Sequence, residues 1–190
     1  MRTFIAITLT QEAKEFLAEV QSELKKSAAD IKWVETKNIH LTLKFLGEID
    51  QTQLQEIIRI IAEITQETNQ FQVQLSSLGA FPSLRSPKVI WAGIEQGEKE
   101  TKEIFLALEN KLKQIGFEKE KRGFSSHITL GRVRTEKNLP KLIKALEFAG
   151  TSLGKNRHNF SVKNITLFLS RLSPQGPDYT VLKESALKTT

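Results

Sequence analysis

A pattern that occurs twice along the chain restricts the folds it can adopt. Hydrophobic periodicity indicates the order strand, helix, strand, helix, strand in each half of the 190 residues. His40 aligns with His127 at an offset of 87 residues, and Phe71 aligns with Phe160 at an offset of 89. Offsets this similar, over the same order of elements, indicate an internal duplication.

The repeated unit predicts an α+β fold. Each half is too short for a complete doubly wound sheet, so we expect one domain, residues 1–190, built of two lobes with helices outside and two sheets facing a central cleft. The first lobe is expected to hold residues 1–79 with the C-terminal strands, and the second residues 88–170. Residues 80–88, AFPSLRSPK, contain two prolines and no helical pattern, and are expected to connect the lobes.

Four segments have the 3.6-residue periodicity of amphipathic helices. The third stops before Gly116, and the fourth has Pro140 in its first turn and is expected to end at Gly150. These helices supply the apolar faces that would cover the sheets.

Composition excludes several classes of protein. The absence of cysteine excludes disulfides, thiolate metal sites and cysteine nucleophiles, and it suits a reducing cytoplasm. The net charge of +6 favours polyanionic partners such as nucleic acid. The N-terminal apolar run is far shorter than the roughly 20 residues that span a bilayer. We therefore expect a cytoplasmic protein without a membrane partner.

Each half carries a His-x-Thr-Leu sequence: NIHLTLKFLG at 38–47 and SSHITLGR at 125–132. Side chains alternate between the faces of a strand, so His40 and Thr42 share one face, as do His127 and Thr129. The opposite face of the first strand is wholly apolar and is expected to pack on the helices: Ile39, Leu41, Leu43 and Phe45. Two such strands at one cleft would bring both histidines to one small ligand.

These residue types suit acid-base chemistry on a phosphoryl group. An imidazole has a pKa of about 6.5, so one histidine can donate a proton while another accepts one. A threonine hydroxyl two residues further on can donate a hydrogen bond to a non-bridging phosphoryl oxygen. Two of the chain's three histidines stand in matched positions, which favours a shared site over strand propensity alone. The third, His158, has no threonine partner and is expected to be exposed.

Other kinds of site are disfavoured. Two imidazoles need a third protein ligand to hold zinc, and neither motif has Asp, Glu or His two to four residues away on the same face. No carboxylate stands where it would orient a histidine beside a serine nucleophile, and the sequence has no P-loop or G-x-G-x-x-G. We expect neither a metal nor a cofactor.

The two motifs resemble the signatures of the 2H phosphoesterase superfamily. The surrounding stretches IKWV, AFPSLRSPKVIWAGI and LFLSRLSPQGPDYTVL are similar to those of bacterial and archaeal RNA 2',3'-cyclic phosphodiesterases, once called 2'-5' RNA ligases. The resemblance covers nearly the whole chain. It implies a bilobal, pseudo-twofold and mainly antiparallel α+β fold, and the metal-independent hydrolysis of a terminal 2',3'-cyclic phosphate on RNA to a 2'-phosphomonoester.

The resemblance also implies roles for individual residues. His127 would be the proton acceptor that activates water, and His40 the proton donor to the departing 3'-oxygen. Thr42 and Thr129 would hold the phosphoryl oxygens. Arg132 would add a charge-assisted contact to phosphate, the alternative being a solvated arginine at a strand end.

Contacts to the rest of the nucleotide call for aromatic or basic side chains. Tyr179 is the preferred candidate for substrate binding, with structural capping as its alternative. The remaining candidates are expected to be core aromatics or solvated cations: Phe45, Trp33, Trp91, Arg85 and Arg171.

The expected partners are RNA 3' ends or nucleotides that carry a 2',3'-cyclic phosphate, bound by a monomer. Three alternatives stay open: a noncatalytic RNA-end or nucleotide-binding module, reversible 2'-5' RNA ligation, and a basic architectural protein whose binding fades with salt. The presence of both histidines and both threonines favours the enzyme.

Overall fold

The computed structural model describes residues 1–121, 123–174 and 176–189. The α-helices in this part of the chain are α1 (Gln11–Lys25), α2 (Gln51–Glu67), α3 (Glu98–Gln114) and α4 (Leu139–Lys155). The strands are β1 (Arg2–Thr8), β2 (Ile31–Trp33), β3 (His40–Glu48), β4 (Phe71–Ser83), β5 (Ser86–Ile94), β6 (His127–Val133), β7 (His158–Val162), β8 (Asn164–Ser173) and β9 (Gly176–Ala186). The predicted α+β class is confirmed.

Local sequence explains how the helices begin and end. α2 begins with a capping box, in which Asp50 and Gln53 each accept a hydrogen bond from the other's backbone N–H. α3 ends before Gly116, whose φ of +93° suits glycine. The predicted end of α4 at Gly150 is wrong, since the helix continues to Lys155. Packing of α4 on β4 outweighs the low helix propensity of glycine.

The strands form one sheet in the order β7, β4, β5, β6, β3, β1, β8, β9, with β2 added to β6. All the pairs between these strands are antiparallel. β3 meets β6 at a single residue pair, Leu41 with Ile128. The two facing sheets that we expected are therefore two halves of one sheet, joined at this pair. The apolar core lies between the sheet and the helices.

The two halves of the chain exchange elements. β4, the last strand of the first repeat, pairs with β5, and β8 from the second repeat pairs with β1. Helix α1 packs on α4 and β7, whereas α3 packs on α2 and β3. This arrangement differs from the predicted lobes, residues 1–79 with the C-terminal strands and 88–170, because α1, β2 and β4 all lie with the second His-x-Thr strand.

Residues 80–88 do not connect two lobes. They form the end of the β4–β5 hairpin, which reverses between Ser83 and Ser86. Pro82 and Pro87 pair at this end, beside a register irregularity. Proline cannot donate a ladder hydrogen bond, so it is tolerated at such irregular strand ends, and the two prolines gave a false signal for a linker.

Within the described ranges, none of the helices has both the length and the apolar character required to cross a membrane.

Candidate active site

The pair that joins the two halves of the sheet, Leu41 and Ile128, lies at the centre of the site. Both side chains are fully buried in the core. Because side chains alternate along a strand, the residues that flank this pair face the other surface of the sheet: His40, Thr42, His127 and Thr129. The antiparallel register sets each histidine across from the other strand's threonine, which gives the four side chains a pseudo-twofold relation.

Both imidazoles are held in the same way. Nδ1 of His40 lies 2.7 Å from the carbonyl oxygen of Asn38, and Nδ1 of His127 lies 2.7 Å from that of Ser125. A carbonyl oxygen can only accept, so each Nδ1 carries the hydrogen, and Nε2 of each neutral imidazole presents a lone pair. In the first copy, Nε2 of His40 is 3.0 Å from the hydroxyl of Thr42, which donates to it while the imidazole is neutral.

His40 sits in an aromatic enclosure. Its ring centroid is 4.9 Å from that of Phe4 and 5.5 Å from that of Tyr179, which meets it edge-on at 84°. Burial lowers the pKa of His40, the Asn38 carbonyl raises it, and the ammonium of Lys14 lowers it again, with burial as the largest effect. The free site therefore favours a neutral imidazole at His40.

His127 has a separate aromatic neighbourhood. Phe81 of β4 meets its ring edge-on at 5.0 Å, and the ring of Trp91 on β5 lies 6.5 Å away. Trp91 lies so close over Gly79 that a Cβ there would come within 2.2 Å of its ring. A residue without a side chain on β4 thus makes room for the indole beside His127.

A cleft of about 360 Å³ opens on this face of the sheet. Five of the six predicted site residues line it: His40, Thr42, Thr129, Arg132 and Tyr179. His127 precedes Thr129 by two residues on the same face of β6, and it lies beside the cleft instead of among its lining residues. The structure thus gathers the predicted residues around one opening.

The cleft also holds residues that sequence reasoning missed. Lys32 of β2 is paired in register with Arg132, and Arg2 also lines the cleft. The described lining thus contains three cations and one carboxylate, that of Glu35. Burial raises the pKa of Tyr179, whereas Arg132 and Arg2 lower it. No local signal marks Lys32 or Arg2, since their place depends on strand pairs between distant parts of the chain.

The predicted placement of Phe45 is wrong. Ala6 of β1 pairs with Thr42, but Ile5 pairs with Lys44, so β3 contains a bulge that reverses its alternation. Lys44 consequently points into the protein and is 4% exposed, whereas Phe45 is 62% exposed and lines the cleft.

The other candidates divide between packing and surface. Trp33 is partly buried against the core and also lines the cleft. Trp91 packs over Gly79, beside His127. Arg85 and Arg171 are exposed, and neither is among the residues that line the cleft. His158 is partly buried and stacks on Phe16 at 4.8 Å, in contrast to the expected exposure.

Residues 150–154, GTSLG, have the G-x-S-x-G spacing of a nucleophile elbow. Ser152 lies inside α4, whereas such a nucleophile stands on a sharp turn between a strand and a helix. Its position therefore gives no support to serine chemistry.

A duplicated α+β fold that presents two His-x-Thr strands at one cleft is that of a 2H phosphoesterase. The sequence profile described as LigT like Phosphoesterase matches the chain twice, at residues 7–91 and 94–179. The chain belongs to this family, and the two matches begin 87 residues apart, the same offset as that between His40 and His127.

Similar proteins agree with this assignment. An RNA 2',3'-cyclic phosphodiesterase of Methanocaldococcus jannaschii is 37% identical over 97% of this chain and 99% of its own length. That of Thermotoga maritima is 34% identical over 97% and 94%. Among solved structures, Escherichia coli LigT complexed with 3'-AMP superposes with a TM-score of 0.76 and 26% identity, covering 98% of this chain and 97% of LigT.

Proposed function

We propose that this chain hydrolyses the terminal 2',3'-cyclic phosphate of RNA to a 2'-phosphomonoester by metal-independent acid-base catalysis with two histidines. The names of its relatives support the substrate class. The observation that supports the mechanism best is the matched placement of His40 and His127 about the Leu41–Ile128 pair, each with Nδ1 bound to the carbonyl two residues before it.

In this reaction water attacks phosphorus opposite the 3'-oxygen. Nε2 of His127 takes a proton from the water, a new P–O bond forms, and the P–O3' bond breaks. Nε2–H of His40 gives its proton to the 3'-oxygen, which leaves a 3'-hydroxyl and a 2'-phosphate. A base and an acid on opposite sides of phosphorus are what this in-line displacement needs. The two roles follow the family resemblance.

Substrate binding would raise the pKa of His40 and so favour its protonated form. Burial lowers the pKa of the free imidazole, but a phosphodiester anion beside Nε2 favours the imidazolium. The hydroxyl of Thr42 then turns from Nε2 to a non-bridging oxygen, and Thr129 holds the other. Arg132 would neutralise phosphate charge, and Tyr179 would contact the nucleoside. All of these groups come from one chain, which supports action as a monomer.

The test is hydrolysis of a 2',3'-cyclic nucleotide end in excess EDTA, with phosphorus NMR to identify the product. We expect a 2'-phosphate, and we expect His40→Ala and His127→Ala each to lower the rate at least about 100-fold, as removal of a general acid or base does. His158→Ala is the matched control and should retain activity. Full activity in either site variant, or inhibition by EDTA, would contradict the mechanism, and binding without turnover would indicate a noncatalytic module.

A further inference from the structure

Lys44 and Phe45 occupy positions opposite to their usual preferences. The bulge in β3 buries an ammonium and exposes an aromatic ring on the next residue. Lysine is almost never fully buried without a partner, and phenylalanine is usually inside. A regular strand would expose Lys44 and bury Phe45. The exposure of the Phe45 ring therefore suggests a function outside the core.

Phe45 stands between two openings. It lines the catalytic cleft, and it also lines a second hollow of about 570 Å³ between β3 and residues 117–121. Within the described chain, Phe45 is the residue that the linings of the two openings share. The second hollow also has an aromatic residue from its other wall, Phe117, which packs partly against the core.

The buried Lys44 fixes the wall of the second hollow. Its Nζ lies 2.6 Å from Glu109 of α3 and donates to the carbonyl oxygen of Glu118 at 2.7 Å. The other carboxylate oxygen of Glu109 accepts from the backbone N–H of Glu120 at 2.6 Å. The segment opposite Phe45 is therefore tied to both β3 and α3, which gives the hollow a set width.

We propose that Phe45 is a stacking wedge between the terminal nucleotide in the catalytic cleft and the preceding nucleotide, whose base lies in the second hollow. This inference rests on the proposed function and makes its substrate an RNA end of at least two nucleotides. An aromatic ring exposed on a ridge between two openings can stack a base on each side, whatever the identity of the base.

The charges of the second hollow support stacking over phosphate binding. Besides the paired Lys44, the hollow presents two cations and two carboxylates from one segment: Glu118, Lys119, Glu120 and Lys121. Among the residues that the structure describes, these charges balance, and Nζ of Lys119 donates to the side-chain oxygen of Asn110 at 2.6 Å. The increase in kcat/KM from the second nucleotide should therefore depend on the Phe45 ring and change little with salt concentration.

The test compares adenosine 2',3'-cyclic phosphate with the dinucleotide ApA bearing the same cyclic phosphate. We expect kcat/KM to be about 5- to 100-fold higher for the dinucleotide, the range that one stacked base supplies. Phe45→Ala should remove this advantage, so that the two substrates have similar kcat/KM, whereas Phe45→Trp should keep it. The control is Phe148→Ala, since Phe148 is 79% exposed on α4, away from both openings.

Two results would overturn the wedge. One is a wild-type protein that shows no preference for the dinucleotide, and the other is a Phe45→Ala variant that slows both substrates equally. Fluorescence anisotropy with 5'-labelled ApA 2'-phosphate and labelled adenosine 2'-phosphate measures the same preference without turnover. Failure of the proposed function would thus appear as binding without hydrolysis, separate from failure of the wedge.

Discussion

At His40, burial and hydrogen bonding act on the imidazole in opposite directions. The enclosure by Phe4 and Tyr179 lowers its pKa, and the Asn38 carbonyl partly offsets this. The sequence predicted that His40 and Thr42 share a face, because alternation is a local property of a strand. It could not predict the enclosure, since Tyr179 reaches His40 only through the curvature of strands far apart in sequence.

The lowered pKa of His40 predicts a contribution to stability that depends on pH. The folded protein takes up this proton at a lower pH than the unfolded chain, so stability is lost as pH falls below about 6.5 and through the folded pKa. We expect His40→Asn to reduce the loss of unfolding free energy between pH 7.5 and 5.0, measured by urea denaturation. His158→Asn controls for removal of a histidine elsewhere. An equal loss in wild type and His40→Asn would contradict the prediction.

Among the elements, the presence of each strand and helix was predicted better than its boundaries and irregularities. The sequence located the strand and helix of each repeat and the helix stop at Gly116. The bulge at Lys44 was missed because it depends on the register of β1 against β3, which no pattern within β3 reveals. The G-x-S-x-G sequence at 150–154 shows the converse, because a local motif can be present without the strand-to-helix turn that its chemistry requires.

The β4–β5 hairpin gives a prediction at this scale. In Gly79→Ala the new Cβ would lie 2.2 Å from the Trp91 ring, so the indole must move and disturb the surroundings of His127. We expect a loss of about 1–3 kcal/mol in unfolding free energy, with a lower kcat. Chemical denaturation and steady-state kinetics check the two effects.

The control for this variant is Gly154→Ala in α4. Its Cβ would be 3.6 Å from the carbonyl of Ser76, an ordinary contact, and alanine favours the helix. We expect equal or slightly higher stability and unchanged kcat. If Gly79→Ala behaved like Gly154→Ala, the packing of Trp91 would not depend on the glycine.

In the whole molecule, the duplication was predictable but the exchange of elements was not. Offsets between matched residues reveal that a unit is repeated, and the profile matches at 7–91 and 94–179 agree with them. Neither the offsets nor the profile matches reveal which half of the sheet a strand joins. β4 and β8 each complete the sheet half begun by the other repeat, which is a property of tertiary pairing alone.

The exchange predicts that neither half of the chain folds by itself. A cut after Glu95, between β5 and α3, leaves β1 without β8 in one fragment and β6 without β5 in the other. We expect fragments 1–95 and 96–190 to lack cooperative thermal unfolding when separate, and to regain it with phosphodiesterase activity when mixed. Circular dichroism measures the thermal unfolding, and product analysis measures the activity of the mixed fragments. Cooperative unfolding of one fragment alone would contradict this.

The single pair Leu41–Ile128 also bears on how such a site can arise. A polypeptide of half this length, with one His-x-Thr strand, could form this two-histidine site only as a symmetric homodimer. In such a dimer the two imidazoles would have identical surroundings. Fusion of two copies releases that constraint, because each strand can then mutate without its twin. His40 now lies under Phe4 and Tyr179, and His127 beside Phe81 and Trp91. Covalent linkage thereby permits two histidines that descend from one ancestral residue to acquire different surroundings.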